Sequence, residues 1–418
     1  MRALRRLVML EPEEGPLLGW ATAYFFLLLL SFYLLRPLRE AMGIARGADK
    51  LPLLMTGTLL AMLLANPVYA ALVSRWPRRT FLPATCRFFA ANMLLLALLF
   101  RLLPGHGGTA LGYVFYIWVS VFNLFVVAGF WGLMADVFVE DQGRRLFGFI
   151  SVGGTLGAMA GAALTDALSR RVPPAVFFLV AAVALEGATR CMLALLAPGR
   201  LDRPDSREPG PRPLEGLRLI AKSAYLQNLV AYMLLFTITS TLLYLKQGEI
   251  VAKAFTTQAA RTSAFARIDI WTNALTLTTQ IFLTSRVVTR FGVAPVLVML
   301  PLLTLLGFGA LWIWPLFGTL AVVMVLRRGL HYALDRPARE LLYIPLGAEE
   351  KYKSKAFIDT FIFRTGDVMG VWLPTLLSTV AVALAPISLV LSGGWIGCSL
   401  WLGRLRSKLK PCDGTLDS

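Results

Sequence analysis

Twelve apolar stretches, each long enough to cross a bilayer, constrain this chain more than anything else in it. They fall at roughly 17–35, 53–73, 83–103, 110–135, 146–168, 174–196, 223–246, 264–285, 293–313, 316–336, 356–380 and 382–403. About 20 apolar residues in a helix match the hydrocarbon thickness. With no water in that layer, every backbone N–H and C=O must be satisfied inside the segment or across a closed barrel. Runs this long and unbroken are helices, so the chain is read as an all-α membrane protein with about twelve transmembrane helices. A mean hydropathy of +0.67 with only 16% charged residues agrees, because a soluble core of 418 residues needs more polar cover.

The sixth and seventh runs are separated by APGRLDRPDSREPGPRPLEGLRLIAKS, a proline- and arginine-rich stretch that reads as a cytoplasmic linker over 198–222. It divides the chain into six-helix bundles at 1–197 and 223–418, the second ending in a basic tail. Val73-Ser74-Arg75-Trp76 is echoed by Val288-Thr289-Arg290-Phe291, and Glu140-Asp141 before Arg144 by Glu349-Glu350 before Lys353. Both lags are close to half the chain, which predicts two six-helix pseudo-repeats of the major facilitator type.

Charge sets the orientation. The termini and the loops after even-numbered spans hold about 25 lysines and arginines, against about 10 after odd-numbered spans. Both termini are therefore expected in the cytoplasm, in a bacterial inner membrane, with an uncleaved first span. The net charge of +17 reads as loop anchors against anionic lipid, not as a nucleic-acid surface. Cys86, Cys191, Cys398 and Cys412 lack paired spacing, and no phosphate loop, HExxH or serine elbow occurs. Enzyme chemistry, metals and cofactors are not expected.

Charges inside the apolar runs mark the functional candidates, since each costs roughly 2.5–3.5 kcal/mol at the helix centre. The tenth run carries Arg327, Arg328, His331, Asp335 and Arg336; Arg327, His331 and Asp335 recur every four residues and are expected on one face. The eleventh carries Asp359, Arg364 and Asp367 after Lys351, Lys353 and Lys355. The first ends in FYLLRPLRE with Arg36, Arg39 and Glu40, where snorkelling to the headgroups competes with a binding role. Glu186 with Arg190, and Arg267 with Asp269, read as ion pairs. GGTLGAMAG places Gly153, Gly154, Gly157 and Gly161 at helical spacing, which predicts close helix packing.

At these residues the chain resembles the ATP/ADP translocase-type nucleotide transporters of plastids and intracellular bacteria, and their relatives in free-living bacteria. The block at 340–366 carries it most specifically: E-x-x-YIPL from Glu340, three alternating lysines, A-x-ID ending at Asp359, then R-x-G at Arg364. FYLLRPLRE is a second block. Ser263-Ala264-Phe265 with Asp269, Trp271 and Thr272, running on to Arg290-Phe291-Gly292, is a looser third, and Phe130-Trp131 also fits. The resemblance implies a twelve-helix carrier exchanging a phosphorylated, adenine-like substrate. Three departures bear on ATP/ADP exchange itself: no acidic residue between Arg101 and Asp136, Arg261-Thr262 in place of the family's glutamate, and Asp367 where lysine is frequent.

The function expected is secondary transport of an organic anion such as a nucleotide by alternating access; the alternative is a sensor or scaffold that keeps the carrier fold. Planar arginine forks suit phosphate oxygens, and lysine adds point charge. The substrate-binding candidates are Arg36, Arg39, Glu40, Arg327, Lys355, Asp359, Arg364 and Asp367. Asp359 and Asp367 are the candidates for proton coupling, and a monomer in the bilayer is the expected state.

Overall fold

The computed structural model describes residues 14–103, 106–196, 213–379 and 384–408. Each apolar run coincides with a helical rod, so the described residues hold twelve: Gly15–Gly43, Leu51–Arg75, Arg78–Leu102, His106–Val137, Glu140–Leu168, Pro174–Leu195, Ala224–Ala254, Gln258–Phe282, Val293–Ile313, a tenth from Phe317–Leu330 to Arg336–Glu340, an eleventh from Ala348–Phe357 to Phe363–Thr379, and Leu384–Lys408. Among the described residues, nine helices are long and apolar enough to cross a membrane. The eighth rod falls short because Arg267, Asp269, Asn273 and several threonines dilute its apolar character. The tenth and eleventh fall short because their α-helical pieces are short, 14 residues over Phe317–Leu330 and 17 over Phe363–Thr379. The last two are also interrupted by π-helical turns at His331–Asp335 and Ile358–Ile362. Such wide turns cluster at functional positions in helices.

Contacts divide the chain into two compact units. One comprises Met1–Ser206 with Phe255–Asn273; the other comprises Arg207–Ala254 with Ala274–Ser418. The division falls within the eighth helix.

In the first unit the first helix is the central post, and the glycines of the fifth let it approach. A Cβ at Gly161 would sit 2.6 Å from the Leu30 carbonyl oxygen, and one at Gly157 would collide with that of Phe26. The packing expected of GGTLGAMAG is thus present, between two identified helices. Ser31 donates to the Ala181 carbonyl at 2.8 Å, tying the sixth helix to the same post. Around them Tyr24, Phe25, Phe115, Phe122, Phe130 and Phe178 build an aromatic core, Phe25 stacking on Phe130 with centroids 4.1 Å apart.

In the second unit the seventh helix packs against the eleventh and twelfth, and the twelfth against the ninth. Tyr232, Phe236, Leu297, Leu300 and Trp395 fill the space among them. Hydroxyls within these helices bond back to the preceding turn, as in Thr237 to Met233 at 2.9 Å and Thr304 to Leu300 at 2.8 Å. That satisfies a polar group without water. Leu64, Val183 and Val390, by contrast, are each more than 70% exposed. Outward-facing aliphatic side chains are what contact with lipid tails requires.

Candidate functional site

The charges expected on the first helix are engaged by protein. Arg36 donates from Nη1 to Asp269 Oδ1 at 2.9 Å, and Asp269 is 3% exposed. Arg39 lies over the Tyr116 ring, its guanidinium carbon 3.7 Å from the centroid. It donates to the Tyr116 carbonyl at 2.9 Å and the Ser120 hydroxyl at 3.1 Å, and pairs with Glu40 at 2.5 Å. With side chains only 21% and 15% exposed, neither arginine snorkels.

Arg267 and Asp269 do not form the ion pair their proximity in sequence suggested. Residues two apart on a helix point to opposite sides. Arg267 instead meets Asp166 at 3.1 Å, while Asp269 takes Arg36. Ser263 also donates to Asp166, and Arg261 reaches the Ile44 carbonyl at 2.9 Å. Glu186 and Arg190 do pair, at 2.8 Å, with Arg87 as an additional partner on an exposed face.

The second unit holds a tighter constellation around Phe236. The ring of His331 stacks on it at 4.7 Å, and the guanidinium carbons of Arg339 and Arg327 lie 5.0 and 5.7 Å from its centroid. Asp335, 1% exposed, accepts from the Tyr232 hydroxyl and from His331 Nδ1 at 3.0 Å, and forms an ion pair with Arg339, whose Nε lies 3.2 Å away. Three partners of this kind make it a satisfied buried anion.

Arg327 turns away from that carboxylate. It is 5% exposed and donates from Nε to Thr304 Oγ1 at 2.9 Å and from Nη2 to Ser240 Oγ at 2.7 Å. Among the described residues no carboxylate lies within ion-pairing distance of it. Arg327 and His331 nevertheless meet the same Phe236 ring, and His331 bonds Asp335, as residues sharing a face would. Beyond Phe236, Arg327 reaches the seventh and ninth helices through Ser240 and Thr304, and the π turn begins at His331.

The remaining candidates lie along the eleventh rod. Arg364 pairs with Asp367 at 3.3 Å, and Thr241 donates to the other oxygen of Asp367 at 3.3 Å. Lys355 pairs with Glu340 beside the Tyr343 ring. Asp359 is exposed within the second π turn. Gly366 and Gly370 let this rod approach the seventh helix; a Cβ at Gly370 would lie 3.1 Å from the Ile238 carbonyl oxygen.

The seventh helix supplies what sequence reasoning missed. Tyr232, Phe236, Ser240 and Thr241 join the tenth and eleventh rods, and Thr304 of the ninth completes the set. The available signal was the hydroxyl run Thr237-Ile238-Thr239-Ser240-Thr241 inside an otherwise aliphatic span.

Comparison with known proteins follows the same lines. Residues 298–407 match the family described as TLC ATP/ADP transporter. The chain is 26% identical over 215 residues to ADP,ATP carrier protein 2 of Chlamydia trachomatis, covering 44% of this chain and 40% of that carrier. It is 23% identical over 287 residues to ADP,ATP carrier protein 1 of Chlamydia pneumoniae, covering 58% and 55%. The matches thus span about half the length of these relatives. An auto-inhibited POT-family peptide transporter of known structure aligns over 96% of this chain and 98% of its own, with a TM-score of 0.66 and 11% identity, a likeness of fold alone. The chain is a multi-pass helical membrane protein of the major facilitator fold, and its sequence is similar to the ATP/ADP translocase-type transporters.

Proposed function

We propose that the chain is a secondary transporter that carries an organic anion, a nucleotide being the class its relatives suggest, by alternating access. The observation that carries this is Arg327, a buried guanidinium whose described partners are two hydroxyls and an aromatic face. Removing an ion from water costs several kcal/mol even after relaxation. An anionic cargo offsets that cost, and a guanidinium fork with two neighbouring hydroxyls suits phosphate or carboxylate oxygens.

Among the groups gathered at Phe236, Arg339 pairs with Asp335, while Arg327 pairs with no carboxylate among the described residues. Arg327 is closed off in this conformation, so the cargo reaches it when the seventh, ninth and tenth helices part. The π turn beside it gives the tenth rod a place to shift register. A carrier in the inner membrane of a bacterium, with cytoplasmic termini, is the setting that the loop charges support. Proton coupling fits the same reading.

One observation favours the scaffold alternative: Arg36, Arg39, Lys355 and Arg364 each have a carboxylate partner, as a closed polar interior requires. Arg327 is the exception that favours transport. Thermal unfolding of the purified protein with ATP, ADP and pyrophosphate separates the two. A transporter shows a Tm that rises with ligand concentration in the wild type and not in Arg327→Gln. A Tm indifferent to every anion supports the scaffold.

A further inference from the structure

We propose that His331, held by Asp335, is the proton-binding site through which anion movement is coupled to a proton gradient. This rests on the reading of Arg327 as the anion's partner and adds the coupling residue to it. The assignment differs from the one suggested by sequence, because Asp367 is committed to Arg364 and Thr241, and Asp359 is exposed in the second π turn.

The geometry provides what a proton site needs. Asp335 touches His331 Nδ1 at 3.0 Å, so the neutral ring carries its hydrogen on Nδ1 and leaves Nε2 as an acceptor. The His331 side chain keeps 16% exposure while Asp335 keeps 1%, which makes the imidazole the more accessible member of the pair. Proton uptake is then a complete step. Nε2 takes H⁺ from water on one side of the membrane, the imidazolium remains bonded to Asp335 through Nδ1–H, and Nε2 returns the proton to water on the other side.

The charged and titratable neighbours decide how this couples to the cargo. Arg327 and Arg328 precede His331 on its own helix, and Arg336, Arg339 and Glu340 follow it. From the seventh helix Tyr232 shares Asp335. The ring of Tyr332, next to His331 in the chain, lies 5.0 Å from the imidazole. The ninth, Val293–Ile313, contributes no titratable side chain. His331 thus sits in a mainly cationic surround whose nearest carboxylate is Asp335. With no cargo at Arg327, a second charge on the imidazole is opposed by Arg327 and Arg339 across the one shared Phe236 ring. An anion at Arg327 removes that opposition. Anion and proton therefore favour each other's binding, and linkage makes the effect reciprocal. The pair moves in the same direction as a symport.

Two measurements on the full chain test this independently. The sequence has two histidines, His106 and His331, so imidazole NMR of the solubilised protein gives two signals, assigned with His106→Gln. The expected result is a His331 signal that titrates reversibly over the pH range in which the protein stays folded. A His331 signal without titration over that range overturns the proposal whether or not the protein transports.

The second measurement is labelled ATP entry into proteoliposomes. An inward proton gradient is expected to raise wild-type entry about tenfold. In His331→Gln the ratio of entry with the gradient to entry without it is expected to fall to about one. Equal stimulation in wild type and variant overturns the proton site and leaves the transporter reading intact. Absent counterflow in folded wild type overturns the transporter reading, and the coupling role falls with it.

Discussion

Arg36 and Asp269 stand 233 positions apart in the chain and meet at 2.9 Å, the carboxylate almost fully buried. The contact joins the end of the first helix to the segment at 255–273, within one compact unit. Taking away either partner removes a largely buried, charge-assisted hydrogen bond from the other. Asp269→Ala is expected to cost about 3 kcal/mol, and Arg36→Ala somewhat less because the guanidinium is partly open to water. Thermal unfolding in detergent checks both, and the double alanine variant is expected to be more stable than Asp269→Ala alone. Additive losses would show that the pair is not a unit.

The glycine contacts of the fifth helix make a sharper packing prediction. Gly157→Ala and Gly161→Ala place a methyl against first-helix backbone and are expected to cost about 1–3 kcal/mol each. Gly148→Ala, on the same helix with nothing within 4 Å, is expected to be neutral or slightly stabilising. Urea or thermal unfolding of the three variants distinguishes helix approach from general loss of glycine.

Ser240 and Thr304 hold the guanidinium of Arg327 at 2.7 and 2.9 Å. A hydrogen bond to a charged group contributes about 1.5–3 kcal/mol, so Ser240→Ala is expected to lower uptake roughly tenfold or more. Arg327→Lys keeps the charge and loses the fork, and is expected to transport far less than wild type. Uptake normalised to folded protein is the readout; an unimpaired lysine variant would remove the geometric argument.

Arg364 and Asp367 call for a different experiment. Their pair is half-buried and lies on the rod that the seventh helix touches through Thr241. Arg364→Ala is expected to reduce transport of every substrate the wild type carries, and Asp367→Ala added to it to restore stability without restoring transport. Transport rates and Tm measured on the same preparations separate the two effects. Full activity in Arg364→Ala would leave the pair a purely structural role.

Much of this architecture is legible in the sequence, because lipid imposes simple rules. Twelve apolar runs became twelve rods, and the charges inside the tenth run are among those that gather at Phe236. The glycine series was also readable, since helical spacing and close approach go together. What escaped was lateral: which helix each charge faces. Arg267 and Asp269 are two positions apart and choose Asp166 and Arg36, partners no local spacing reveals. The same holds for Arg327. A helical wheel put it on one face with His331 and Asp335, but gave no sign that its donors go to Ser240 and Thr304. Phe236 and Tyr232 gave no signal, because an aromatic residue in an apolar span looks the same whether it fills a core or organises three charges.

The central claim is that Arg327 carries an anion across the membrane, and counterflow tests it most directly. Proteoliposomes preloaded with a mixed nucleotide pool are given labelled ATP or ADP outside, with wild type and Arg327→Gln compared at equal amounts of folded protein. The account predicts saturable entry that requires internal nucleotide in the wild type, and a loss of at least about a hundredfold in the variant, the equivalent of roughly 2.7 kcal/mol. Equal counterflow in the two proteins would contradict it.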